Sequence, residues 1–135
     1  MPDSTHIRND ALSALIEHAA QKPRLECCGL VAGHHGVITR AFPAANAAAD
    51  AAKNYEIAPE ELFRLMREIR AAGLELMGIY HSHPNGSGEP SPRDIERAYY
   101  PDAAYFIVSI QTGVTKIRGF SIRDGRVNEL EIVVE

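Results

Sequence analysis

The 135-residue chain has no surplus of positive charge: 14 Lys and Arg face 18 Asp and Glu, for a net charge of −4. Nonspecific nucleic-acid binding wants a basic face, so this balance argues against it. No apolar run approaches the ~20 residues of a membrane span. Met1–Asn9 is polar and lacks the apolar core of a signal peptide, which makes the cytoplasm the expected location. Cysteine is scarce. Cys27 and Cys28 are adjacent, a spacing at which a mutual bridge is strained. They do not form a Cys-x-x-Cys knuckle, and they read as two buried or half-buried thiols in a reducing compartment. There is no internal repeat and no linker, so residues 1–135 are expected to form a single domain.

What is present alternates. Apolar residues at 7, 11, 12, 15, 16, 19 and 20 have helical spacing over Ile7–Gln21, with Asp3, Ser4 or Thr5 as a cap and Pro23 beyond the end. Leu25–Ala32 reads as a strand, His34-His35-Gly36 as a hairpin turn and Val37–Phe42 as the return strand. His34 and His35 are expected to be exposed at that turn. Pro43–Ala52 is Ala-rich, a surface loop or a helix, and Lys53–Ile57 reads as a short strand. Ala58–Ala72 is a second helix, with Pro59 at N1, Glu60 and Glu61 in the first turn and Gly73 past the end. Leu74–Tyr80 is apolar and strand-like, and Pro92–Tyr100 reads as a third helix stopped by Pro101. Ala104–Ile110, Val114–Ile122 and Arg126–Val134 should form an antiparallel meander, broken at Gln111-Thr112-Gly113 and at Asp124-Gly125. Helices that alternate with strands early, followed by hairpins late, imply a mixed α/β architecture: a mixed sheet with helices on its faces.

The chemistry concentrates between Gly78 and Tyr99. Residues two apart on a strand share a face, so His81 and His83 in His81-Ser82-His83-Pro84 can aim both imidazoles at one point while Ser82 points away. Pro84 takes the chain out of the sheet. After a loop rich in Gly, Pro, Asn and Ser, Ser91-Pro92-Arg93-Asp94 opens the third helix and can bring Asp94 back to the histidines. Two imidazoles, one carboxylate and a fourth position left to water make the donor set of a catalytic zinc site. By itself the same Ser91-x-x-Asp94 is also an ordinary helix start, with Ser at N-cap, Pro at N1 and an acid at N3.

His81-Ser82-His83-Pro84, six residues, then Ser91-x-x-Asp94 resembles the signature of the JAMM (MPN+) zinc metallopeptidases. Glu26, in Glu26-Cys27-Cys28-Gly29-Leu30, stands where that family carries an upstream glutamate, and the likeness is closest to the compact prokaryotic members. The resemblance implies a cytidine-deaminase-like mixed sheet flanked by helices. It implies one Zn2+ held by His81, His83 and Asp94 with a bound water as fourth ligand. Glu26 would be the base and Ser91 the donor to the developing oxyanion. It also implies a substrate, a ubiquitin-like sulfur-carrier protein cleaved after its C-terminal Gly-Gly, by tail trimming or by release of cysteine. A glycine-rich tail could lie as an added strand along a sheet edge. Two other readings stand beside this one. A noncatalytic MPN scaffold typically lacks at least one of the five residues. A DNA-repair-associated JAMM-like protein would be at odds with the acidic balance.

Overall fold

Seven strands and three helices make up the computed structural model, which describes residues 3–111 and 114–135. The strand order is β1-β3-β2-β4-β5-β6-β7, and β1 returns to β7 so that the sheet closes into a barrel. β1 (Ser4–Ile7) runs parallel to both β3 (Val37–Ala44) and β7 (Arg126–Val134). β4 (Glu75–His83) runs parallel to β5 (Ala104–Gln111), while β2 (Cys28–His34) is antiparallel to both β3 and β4. β5, β6 (Val114–Arg123) and β7 form the expected antiparallel meander. The sheet is therefore mixed, with helices against it. Of the two expected meander breaks, Asp124-Gly125 forms a turn with both residues at positive φ. The other falls partly on Thr112 and Gly113, outside the described residues.

Closure through β1 was not expected. Ser4–Ile7 buries Thr5 and Ile7 in strand alternation, so these residues join the sheet and cannot cap or open a helix. Helix α1 begins only at Asn9 and runs to Gln21, with Arg8 at N-cap and no side-chain cap. β3 parts from β1 after Ile38, so an unpaired outer side begins at Thr39 and accommodates Pro43 near the strand end.

The helices cover opposite sides of the sheet. Ala11, Leu15 and Ala19 of α1 pack with Val31, Ile38, Tyr80, Phe106 and Val108. Leu65 and Ile69 of α2 (Pro59–Ala71) pack with Leu30, Ile79, Tyr105 and Ile107. Strand alternation assigns the sides: Tyr80 goes to α1, while Ile79 goes to α2. Tyr80 is accommodated because residue 29 has no side chain, since a Cβ there would stand 2.5 Å from the Tyr80 ring. The hairpin between β2 and β3 turns on His35 and Gly36, both at positive φ, with His34 and His35 exposed as expected.

Other boundaries moved for local reasons. β2 starts at Cys28 instead of Leu25. Lys53–Ile57 forms no strand, although Tyr55 and Ile57 do pack on the core. Helix α3 covers only Pro92–Glu96. Past it, the Tyr100 N–H donates to the Tyr105 hydroxyl at 3.0 Å, leaving the helical ladder, and the Tyr100 side chain joins the α2 core.

Candidate metal centre

Strand β4 is paired on both sides, with His81 opposite Cys28 of β2 and Ile107 of β5. Its alternation delivers both imidazoles to the α2 side, 2% and 5% exposed. Beyond His83 the chain turns away, and Ser91 caps α3. The Ser91 Oγ accepts from the Asp94 N–H at 3.0 Å, and Asp94 Oδ2 accepts from the Ser91 N–H at 2.8 Å. That same Oδ2 lies 3.1 Å from Nε2 of His81 and 3.1 Å from Nε2 of His83, and the two nitrogens are 2.9 Å apart. Capping and convergence therefore coexist. The Ser91 hydroxyl accepts with a lone pair and keeps its own hydrogen free to donate.

The three donor atoms form a triangle close to the ~3.3 Å edge of a tetrahedron with bonds of ~2.0–2.1 Å, the geometry of zinc held by nitrogen and oxygen. His83 Nδ1 donates to the Ser87 carbonyl at 2.9 Å, which fixes the ring and, once the imidazole is neutral, gives Nε2 a lone pair for a metal. His81 has no such outer partner: its Nδ1 is the buried side-chain polar atom left unbonded among the described residues. Its ring is held by stacking on Tyr55, with centroids 4.3 Å apart and planes at 22°.

Glu26 comes to the same place from outside any strand. It is 7% exposed, and its carboxylate lies within 4.8 Å of a ring nitrogen of each histidine. By distance alone Glu26, His81 and His83 also form a possible metal triad. Asp94 is the nearer carboxylate, touching both nitrogens, and this leaves Glu26 as the more distant group.

Electrostatics separates the two acids. Burial pushes the Glu26 carboxyl up to about 7, with His83 partly opposing and Asp94 adding. Burial acts the same way on Asp94, but hydrogen bonds from His81 and His83 override it and hold that carboxyl well below the usual range. Burial lowers the His81 pKa against the pull of Asp94. At His83 burial also disfavours the charge, yet Asp94 carries the pKa above its ordinary value. One acid thus stays ionised and the other can exchange a proton near neutral pH.

Of the five residues singled out from sequence, His81, His83 and Asp94 meet at one point, Glu26 lies beside the two histidines, and Ser91 is bonded to Asp94. The model for prokaryotic homologs of the JAB domain matches residues 8–122. The chain belongs to this family. It is 40% identical over 104 residues to a desampylase of Haloferax volcanii, covering 76% of this chain and 75% of that one. It is 32% identical over 126 residues to a CysO-cysteine peptidase of Mycobacterium tuberculosis, covering 91% and 86%. A solved structure described as a JAMM metalloprotease-like zinc site shares the fold, at TM-score 0.62 and 20% identity over 96% of this chain and 98% of that one. This JAB-domain chain is a JAMM-type metallopeptidase, and its centre has the donor set for zinc.

Several contacts were not foreseen. Ser82, the residue that points away between the histidines, is fully buried. Its Oγ accepts from the Cys27 N–H at 2.8 Å and donates to the Leu25 carbonyl at 3.5 Å, holding the backbone on both sides of Glu26. Strand alternation gave its direction, but nothing local named its partner. Tyr55 and the Ser87 carbonyl likewise reach the histidines only through the folded loops. Cys27 and Cys28 are unbridged, half-buried and buried respectively. Burial pushes the Cys28 thiol up to about 12, far from a reactive thiolate.

Proposed function

We propose that this protein is a zinc-dependent hydrolase that cuts the amide bond after the C-terminal Gly-Gly of a ubiquitin-like sulfur-carrier protein, by trimming the tail or by releasing cysteine. The observation that carries the reading is the meeting of His81 Nε2, His83 Nε2 and Asp94 Oδ2 within 3.1 Å, with the buried Glu26 carboxylate beside them but farther off. His81, His83 and Asp94 would hold the ion, leaving its fourth position to water. Bound there, zinc supplies a Lewis acid and lowers the pKa of coordinated water toward ~7.

The chain's own groups do the rest. Glu26 takes a proton from the attacking water and passes it to the leaving amine, a role suited to a buried carboxylate that lies beside the histidines and outside the His81–His83–Asp94 triangle. The Ser91 hydroxyl, whose oxygen accepts from Asp94, donates its hydrogen to the oxyanion as the carbonyl becomes tetrahedral. Asp94 Oδ2 is held at its corner by the Ser91 N–H at 2.8 Å, so the capped helix start sets the carboxylate against the two imidazoles. A Gly-Gly end suits a recessed centre, since only residues without side chains bring their backbone close to buried ligands. The relative named for CysO-cysteine supports this substrate class.

The test is to incubate the zinc-loaded full chain with sulfur-carrier proteins extended past their Gly-Gly end and to weigh the products. The expected result is a mass loss equal to everything after the second glycine. Intact masses across several such carriers would favour a noncatalytic scaffold.

A further inference from the structure

The residues between β3 and α2 form no helix or strand, and one side chain organises them. Asn46 Nδ2 donates to the Glu26 carbonyl at 2.9 Å and to the Asn54 carbonyl at 2.9 Å. Its Oδ1 accepts from the Ala48 N–H at 2.9 Å and from the Glu56 N–H at 3.1 Å. A primary amide has two donor hydrogens and two acceptor lone pairs, so these four bonds saturate it. The loop also bonds Glu26 from its other side, the Glu26 N–H donating to the Ala51 carbonyl at 2.8 Å. Both backbone polar groups of Glu26 are thus tied to this loop. Tyr55 stands between the Asn54 carbonyl and the Glu56 N–H that Asn46 holds, and its ring lies on His81.

We infer that Asn46 is a positioning residue: it locks the backbone of Glu26 and the ring support of His81 into one frame and so sets where the proton acceptor stands relative to the ligands. This rests on the reading of Glu26 as the base. The amide group is required at both ends. Asn46→Asp keeps an acceptor for the Ala48 and Glu56 N–H groups but turns a carboxylate oxygen toward two carbonyls. Asn46→Ala leaves all four backbone groups without their partner. Both should displace Glu26, whereas Ala48→Gly loosens the same loop and leaves the Glu26 bond in place.

The experiment compares the zinc-loaded full chain with Asn46→Ala, Asn46→Asp and Ala48→Gly, using a sulfur carrier extended past Gly-Gly and amide hydrogen exchange by NMR. For both Asn46 variants kcat should fall on the order of 100-fold, as for a misplaced catalytic group, with KM and zinc stoichiometry little changed. The Glu26 amide should exchange at least ~10-fold faster, while the amides of Ile79–His83 hold their rates. Ala48→Gly should keep most of kcat. An unchanged Glu26 exchange rate would overturn the inference, as would an equal loss of kcat in Ala48→Gly at a matched melting temperature. If the unaltered protein turns over no carrier, the hydrolase reading fails, and the exchange rates still decide whether Asn46 fixes Glu26.

Discussion

The two sides of the metal centre are built on different terms. His81 and His83 sit on a nine-residue strand, His81 paired with both β2 and β5 and His83 with β5, so their positions follow from the sheet. Glu26 sits in the short passage between α1 and β2, outside any regular element. It is held by separate stitches: Asn46 on its carbonyl, the Ala51 carbonyl on its N–H, and Ser82 on the neighbouring Cys27 N–H. Ladder bonds repeat and share load, whereas each stitch is a single hydrogen bond between residues far apart in sequence. Placement of the proposed ligands should therefore tolerate changes around them, and placement of the proposed base should not.

The largest break in this comparison comes from removing a ligand. His83→Ala takes one corner from the donor triangle, so zinc should fall far below one equivalent by elemental analysis. Hydrolysis should drop beyond the ~10⁴-fold upper end of general-base effects, because the polarised water goes with the ion. Undiminished zinc would remove His83 from the ligand set. Glu26→Ala divides the two sides most cleanly. Zinc should stay at one equivalent while kcat falls by roughly 10²–10⁴-fold. Turnover that survives, or zinc that is lost, would merge the two roles that the geometry separates.

Local rules reached the strand side and missed most of the other. The period of two in His81-Ser82-His83 is a property of any strand, and Ser91-Pro92-Arg93-Asp94 caps a helix whatever surrounds it, so both could be read before any fold was known. β1 could not be read this way. Ile7 fits a helical stripe as well as a strand, and its partners Val134 and Ile38 lie at the far end of the chain and in the hairpin. Tyr55 and Ile57 alternate like a strand and do pack inward, but the Glu56 N–H between them is taken by Asn46 instead of a neighbouring strand. Asn46 itself looks like any polar residue in an alanine-rich loop. Its importance lies in the carbonyl of Glu26, twenty residues earlier.

A pH comparison sharpens the contrast, because burying Glu26 has a stability cost that can be isolated. A carboxyl whose folded pKa stands at about 7, above its ordinary 4.5, destabilises the fold once ionised. Its favourable contribution is complete below pH 4.5 and is lost as pH rises to about 7. Replacing it by an uncharged amide of the same shape removes that loss. In metal-free protein, Glu26→Gln and the unaltered chain should have similar stability in urea at pH 4.5. By pH 8 the variant should be the more stable, by on the order of 1–3 kcal/mol. A gap that does not change with pH would mean that the carboxyl is not held in a desolvated position.

The smallest expected effect is the most direct probe of the stitches. Ser82 lies between the two histidines on β4, yet its hydroxyl serves the Glu26 side, accepting from the Cys27 N–H at 2.8 Å. Ser82→Ala leaves that N–H without its partner, a cost of about 1–3 kcal/mol measurable by urea unfolding. The β4 backbone keeps its pairs with β2 up to His81 and with β5 through His83, so the imidazoles should not move and zinc affinity should be unchanged. The Glu26 segment is still held by Asn46 and Ala51, so kcat should fall by about tenfold, short of the ~100-fold loss for full misplacement. If zinc affinity fell in step with kcat, the strand and the stitched segment would be one mechanical unit, and the independence argued from their separate hydrogen bonds would be lost.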